Sequence, residues 1–127
     1  MKFMFESRGL GDRFVFGGPP VKLELALGKA ELVQGQGYPD RERVVDRVEF
    51  SFVLTNAGGQ PIEIKRLEFC AWKGEQLVGH RHHYHWYNGE ELLPPGTMYS
   101  DHEYFDLSEL PDKFTGQLSV VFAGNDL

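Results

Sequence analysis

The chain has a single cysteine, Cys70, among its 127 residues, so no internal disulfide can form. Small secreted domains usually carry cysteine pairs, and the expected setting is therefore a reducing, cytoplasmic one. No apolar run approaches the roughly 18–20 residues that a membrane helix needs. Met1–Glu6 is interrupted by charge too soon to form the core of a signal peptide. Basic residues are the minority, 13 against 19 acidic, for a net charge of −6; this points away from nucleic acid. The acidic residues are scattered, so no charged tail is indicated. Catalytic signatures are missing as well. None of Ser51, Ser100, Ser108 and Ser119 has a nucleophile-elbow context, and neither Gly35-Gln36-Gly37 nor Gly58-Gly59 leads into a helix as a phosphate cradle would.

What remains is a chain of 41% hydrophobic and 13% aromatic residues, enough for one domain with a core of its own. Arg43–Trp72 organises it. Val48, Phe50, Phe52 and Leu54 recur at every second position with Glu49, Ser51 and Thr55 between them, the period of a strand with one buried face. Asn56-Ala57-Gly58-Gly59-Gln60-Pro61 then reads as a tight turn, and a second strand follows, so the pair is expected to form a hairpin. In that second strand the apolar phase is open. Ile62 and Ile64 share a face with Cys70 and Trp72 if the strand is regular, or with Leu67, Phe69 and Ala71 if it bulges near Lys65-Arg66. Trp72 is expected in the core and Cys70 as an unreactive core thiol.

Elsewhere, residues 1–20 hold the aromatic pairs Phe3/Phe5 and Phe14/Phe16 and end in Gly17-Gly18-Pro19-Pro20. They read as an edge hairpin or an arm that docks on a neighbour, with residues 21–127 as the sandwich domain. Val21, Leu23, Leu25 and Leu27 alternate cleanly, and Gly28 shifts the phase, which marks a bulge or a change of sheet. Further strands are expected over 76–87, 97–105 and 113–123. Asn88-Gly89 is a hairpin dipeptide, and if the first two of these strands pair through the 88–96 turn, His102 lies across from the histidines; one short helical turn is possible near 106–111. About 7–9 short strands with turn residues between them predict an all-β, antiparallel sandwich.

The run Phe50–Ile62, the tryptophan strand after it and Leu93-Pro94-Pro95-Gly96-Thr97 together resemble immunoglobulin-like and fibronectin III-like modules. Over roughly residues 21–123 the outline is also similar to ApaG-like domains, although the Gly-x-Gly-Val-Val-Gly stretch of that family is missing. The resemblance implies an immunoglobulin-like fold and a tendency to bind proteins, with no catalytic residues.

Chemistry concentrates in Gly79–Tyr87, which holds four of the five histidines. Alternation places His80, His82, Tyr84 and Trp86 on one face and Arg81, His83, His85 and Tyr87 on the other. His80, His82, His83 and His85, with His102 from a neighbouring strand, form a candidate zinc or copper site. Tyr84, Trp86 and Tyr87 form a candidate stacking platform for a sugar or another flat ligand. The bland reading of the same residues is a half-exposed sheet face of packed rings. Asp101 or Glu103 could add a carboxylate to the metal site, and Asp101/Glu103 or Glu90-Glu91 could form an acid–base pair, but on loops and exposed strand faces these carboxylates read as ordinary solubility residues. The leading expectation is a non-enzymatic sandwich that binds another protein or a second copy of itself, with no nucleic-acid or membrane partner and no cofactor. A metal-binding protein and a ligand platform are the alternatives.

Overall fold

A computed structural model describes residues 1–8, 11–18, 20–36, 40, 42–84, 86, 89, 91–122 and 125–126, with the backbone alone at residues 36, 125 and 126. Among the described residues it contains eleven strands and no α-helix. In chain order they are β1 (Lys2–Ser7), β2 (Arg13–Gly18), β3 (Val21–Leu27), β4 (Glu31–Gln36), β5 (Val44–Asn56), β6 (Ile62–Lys73), β7 (Gln76–His82), β8 (Leu92–Leu93), β9 (Met98–Phe105), β10 (Lys113–Phe122) and β11 (Asn125–Asp126). They form two antiparallel sheets, the expected sandwich. One runs β1-β10-β6-β7, with β8 also on β6 and β11 on β10; the other runs β2-β3-β5, with β4 and β9 also paired to β5. Segment 106–111 forms bends and no helical turn. Among the described residues no helix is long and apolar enough to cross a membrane.

The long strands β5 and β6 are central, as their length suggests, yet they do not pair with each other. Their turn arches from one sheet to the other, so Phe50 and Phe52 face Phe69 through the core with ring centres 4.9 and 5.7 Å apart. Alternation on a strand shows which side is apolar and leaves open whether the apolar partner lies beside it or across from it. Asn56 secures the arch. Its amide donates to the Gln60 and Leu93 carbonyls at 2.8 Å each and accepts from Gly58 N–H at 3.0 Å, so a fully buried polar side chain is hydrogen-bonded from both ends.

Two bulges adjust the phase. Leu27 pairs with Phe52 while Glu31 pairs with Glu49, so the chain advances four residues against three on β5, and β3 and β4 continue one edge of the same sheet. Gly28 lies at that step, where a Cβ would come 2.3 Å from Ser51 Oγ. The strand therefore bulges and does not change sheets. In β6 the register skips Lys65, since Ser119 opposes Arg66 and Val120 opposes Ile64. Ile62 and Ile64 thus share the buried face with Leu67, Phe69 and Ala71. Trp72 and Cys70 turn to the outer face and are half-buried there. The indole N–H donates to Thr115 Oγ1 at 2.9 Å, and burial together with Glu68 pushes the Cys70 thiol pKa up.

Residues 1–20 give one edge strand to each sheet, β1 to β10 and β2 to β3. Phe3 stacks on Phe16 at 5.1 Å and Phe5 on Phe14 at 5.3 Å, which closes that side of the sandwich. Phe5 lies opposite Gly116, where an added Cβ would meet its ring at 2.0 Å. Pro19 and Asn88, each part of an expected turn, lie outside the described residues.

Candidate functional site

The opposite side of the sandwich, where β7 of one sheet faces β9 of the other, is closed by polar groups. β9 points Tyr99, Asp101, Glu103 and Phe105 inward at alternate positions, with Met98, Ser100 and His102 exposed between them. β7 ends at His82, and His83 stays against β6 through a backbone bond from its N–H to the Leu67 carbonyl at 2.9 Å. Arg81 and His83 thereby turn toward β9.

Glu103 lies between them. Its Oε1 accepts from Arg81 Nε at 3.0 Å, and its Oε2 accepts from His83 Nδ1. His83 Nε2 reaches the Tyr99 hydroxyl at 2.7 Å, and that hydroxyl donates to Asp101 Oδ2 at 2.7 Å. His83 is only 2% exposed and Glu103 only 4%. An ionised carboxylate can only accept, so Glu103 takes hydrogen bonds from Arg81 and from His83 Nδ1, and Asp101 takes one from the Tyr99 hydroxyl. Each polar side chain of this set therefore has a partner within it. Burial pushes the Glu103 carboxyl up, but the hydrogen bonds and charges of His83 and Arg81 outweigh it and hold the group below its ordinary value. Burial likewise raises Asp101, and the Tyr99 hydroxyl, the His102 N–H and the nearby histidines bring it below its ordinary value.

The candidate metal ligands are dispersed around this network. His80 is exposed on the outer face, 3.1 Å from Glu68 Oε2. His82 packs on Tyr84, ring centres 4.2 Å apart, and burial followed by Arg66 lowers its pKa. His83 is committed to Glu103 and Tyr99, and His102 is exposed beside Asp101. His85 lies outside the described residues. Among the described residues no three His, Cys, Asp or Glu side chains come together as a metal site would need. The hairpin that was to bring His102 to the histidine cluster does not form, because β7 and β9 belong to different sheets.

Of the candidate platform, Tyr84 is exposed, while Trp86 packs edge-on to His83 at 4.8 Å and against Tyr99 at 4.6 Å. The indole therefore joins the inner network instead of sharing the His80 and His82 face. Tyr87 lies outside the described residues, as does Glu90. A shallow concavity of about 810 Å³ adjoins the same side, lined by Arg43, Arg47, Tyr104, Asp106 and Ser108 among others. The guanidinium carbons of Arg47 and Arg81 lie 4.4 and 4.2 Å from the Tyr104 ring centre.

Sequence reasoning misses Tyr99 and reads Asp101 and Glu103 as exposed carboxylates, whereas the structure turns both inward. A signal was present. Tyr99 and Phe105 share the parity of Asp101 and Glu103, so an inward aromatic at each end of β9 marks both carboxylates as inward too.

No protein-family model matches the chain, and no curated protein matches it. Among solved structures the chain is similar to the Salmonella enterica trimeric lipoprotein SadB, with a TM-score of 0.52 and 12% identity. The match covers 94% of this chain and 64% of that one, so the chain spans less than two thirds of SadB's length. At that identity the likeness concerns the fold, and it supports the β-rich architecture.

Proposed function

We propose that this chain is a non-enzymatic, immunoglobulin-like β-sandwich module that works by associating with protein, foremost with another copy of itself. The observation that carries this reading is apolar side chains left in solvent on strands at the margins of both sheets. Met4 on β1 is 67% exposed and Val15 on β2 is 56% exposed. Strand margins offer unsatisfied backbone groups, and an apolar side chain beside them favours the addition of another strand. The groups with acid–base chemistry support the same reading from the other side. His83, Glu103 and Tyr99 are buried and saturated by one another, which suits holding a sheet edge closed and gives a substrate no approach. The trimeric state named for SadB is compatible with self-association. With one cysteine, a reducing compartment is the proposed setting.

Sedimentation velocity on untagged protein over a wide concentration range tests the proposal. The expected result is a weight-average mass that climbs to a multiple of the chain mass. A monomer at every concentration overturns self-association. Elemental analysis of the same sample addresses the zinc or copper alternative. Stoichiometric metal that disappears in a His83→Ala, His85→Ala variant would replace this reading with a metal site.

A further inference from the structure

We infer that the self-association surface is the free margin of β1, and that two copies join there by pairing β1 with β1 antiparallel about Met4. The inference rests on the self-association reading above and specifies its geometry.

The backbone sets which residues are available. Met1 and Val120 exchange both backbone hydrogen bonds at 2.9 Å, so Met1 faces β10. In an antiparallel ladder the hydrogen-bonding direction alternates along the strand. Phe3, Phe5 and Ser7 therefore bond to β10, while Lys2, Met4 and Glu6 direct N–H and C=O away from it. Those three residues also share the exposed face.

A strand that meets its own copy antiparallel has one free variable, the residue at the twofold axis. With Met4 at the axis, Met4 opposes Met4, Lys2 opposes Glu6 and Glu6 opposes Lys2. Every pair consists of residues whose backbone groups point outward, so the register completes six hydrogen bonds. It places two opposite-charge pairs on the outer face, and an exposed methionine covers its own copy between them. On the inner face it sets half-buried Phe3 opposite Phe5 of the other copy, which extends the phenylalanine cluster across the axis. Glu6 already has Lys113 at 3.6 Å and Arg8 at 3.8 Å on its own chain.

The margins of β2, β9 and β7 are less suited. β2 centred on Val15 would oppose Arg13 to Gly17 and gain no charge pair. β9 carries two inward carboxylates, and charge turned inward from a margin strand discourages strand addition. β7 shifts register between Ala71 and Trp72 of its partner strand, which breaks the regular edge a new strand needs.

Paired Cα atoms in such a register lie about 5.5 Å apart, within disulfide reach. The test is mild oxidation of Met4→Cys in a Cys70→Ser background, with Val15→Cys as the parallel control, read on non-reducing gels beside the sedimentation data. The expected result is one disulfide-linked dimer from Met4→Cys and none from Val15→Cys. Lys2→Glu, which sets like charges opposite at both ends, should weaken dimerisation about tenfold. Equal linking of both cysteine variants, an associated species that Met4→Cys does not link, or a trimer overturns the β1 pairing and leaves self-association standing. A monomer at every concentration overturns both.

Discussion

The two sides of this sandwich solve one problem in opposite ways. Where β1 faces β2, four phenylalanines fill the gap, with Phe3 on Phe16 and Phe5 on Phe14. Where β7 faces β9, the gap is filled by Arg81, His83, Tyr99, Asp101 and Glu103, each bonded to another of the set. Ring packing is non-directional and tolerates small shifts, so the phenylalanine side holds together by area removed from water. The polar side depends on a complete set of partners, because a buried charge without its counter-charge is far more costly than a missing methyl group. One consequence is protective. Inward charges on a margin strand discourage the addition of another strand, and the inner positions of β1 and β2 carry none.

The sharpest break of this contrast removes one member from each side. Glu103→Ala removes the carboxylate that the half-buried Arg81 and the buried His83 share and is expected to destabilise by about 3–5 kcal/mol. Phe5→Ala should cost a similar amount, about 3–5 kcal/mol, through a cavity against Phe14, Phe16 and Phe69. Urea unfolding at neutral pH checks both.

Acid separates what the sizes alone do not. A carboxyl held below its unfolded value stabilises the fold above that value and loses the contribution as pH falls through its folded pKa. Glu103 and Asp101 are both lowered, so melting temperature should fall as pH drops below about 4.5, the ordinary glutamate value. Phe5→Ala should keep that acid slope, and Glu103→Gln should flatten it. An unchanged slope in Glu103→Gln would remove Glu103 from the acid response. The smallest change is Tyr99→Phe, which deletes the hydroxyl between His83 and Asp101 and should cost about 1–2 kcal/mol. A loss near zero would mean that another group takes over its bonds.

Much of the fold was legible because strands announce their buried face. Val21–Leu27 is the strand that its alternation marks, and the bulge near Lys65 was one of the two phases the residues allowed. The pairing of strands was less legible. Asn56–Pro61 has the composition of a hairpin turn, but the same residues carry the chain over the core from one sheet to the other, since a short turn leaves the direction of exit open. The histidine-rich stretch supplies Arg81 and His83 to the polar side of the sandwich. Its inner residues find their partners on β9, more than fifteen positions away, where two acidic residues read as surface charge.

Alternation, turn residues and composition by themselves determined an all-β sandwich, the inward faces of its central strands and the lack of any internal disulfide, because each is a local property of neighbouring residues. Only the tertiary structure decided that β5 and β6 oppose each other through the core, that Trp72 faces outward while Trp86 turns in, and that His83 joins Glu103 rather than a cluster of histidines. Those outcomes depend on which strand lies across the sandwich, and that is set by the burial of the whole apolar surface at once.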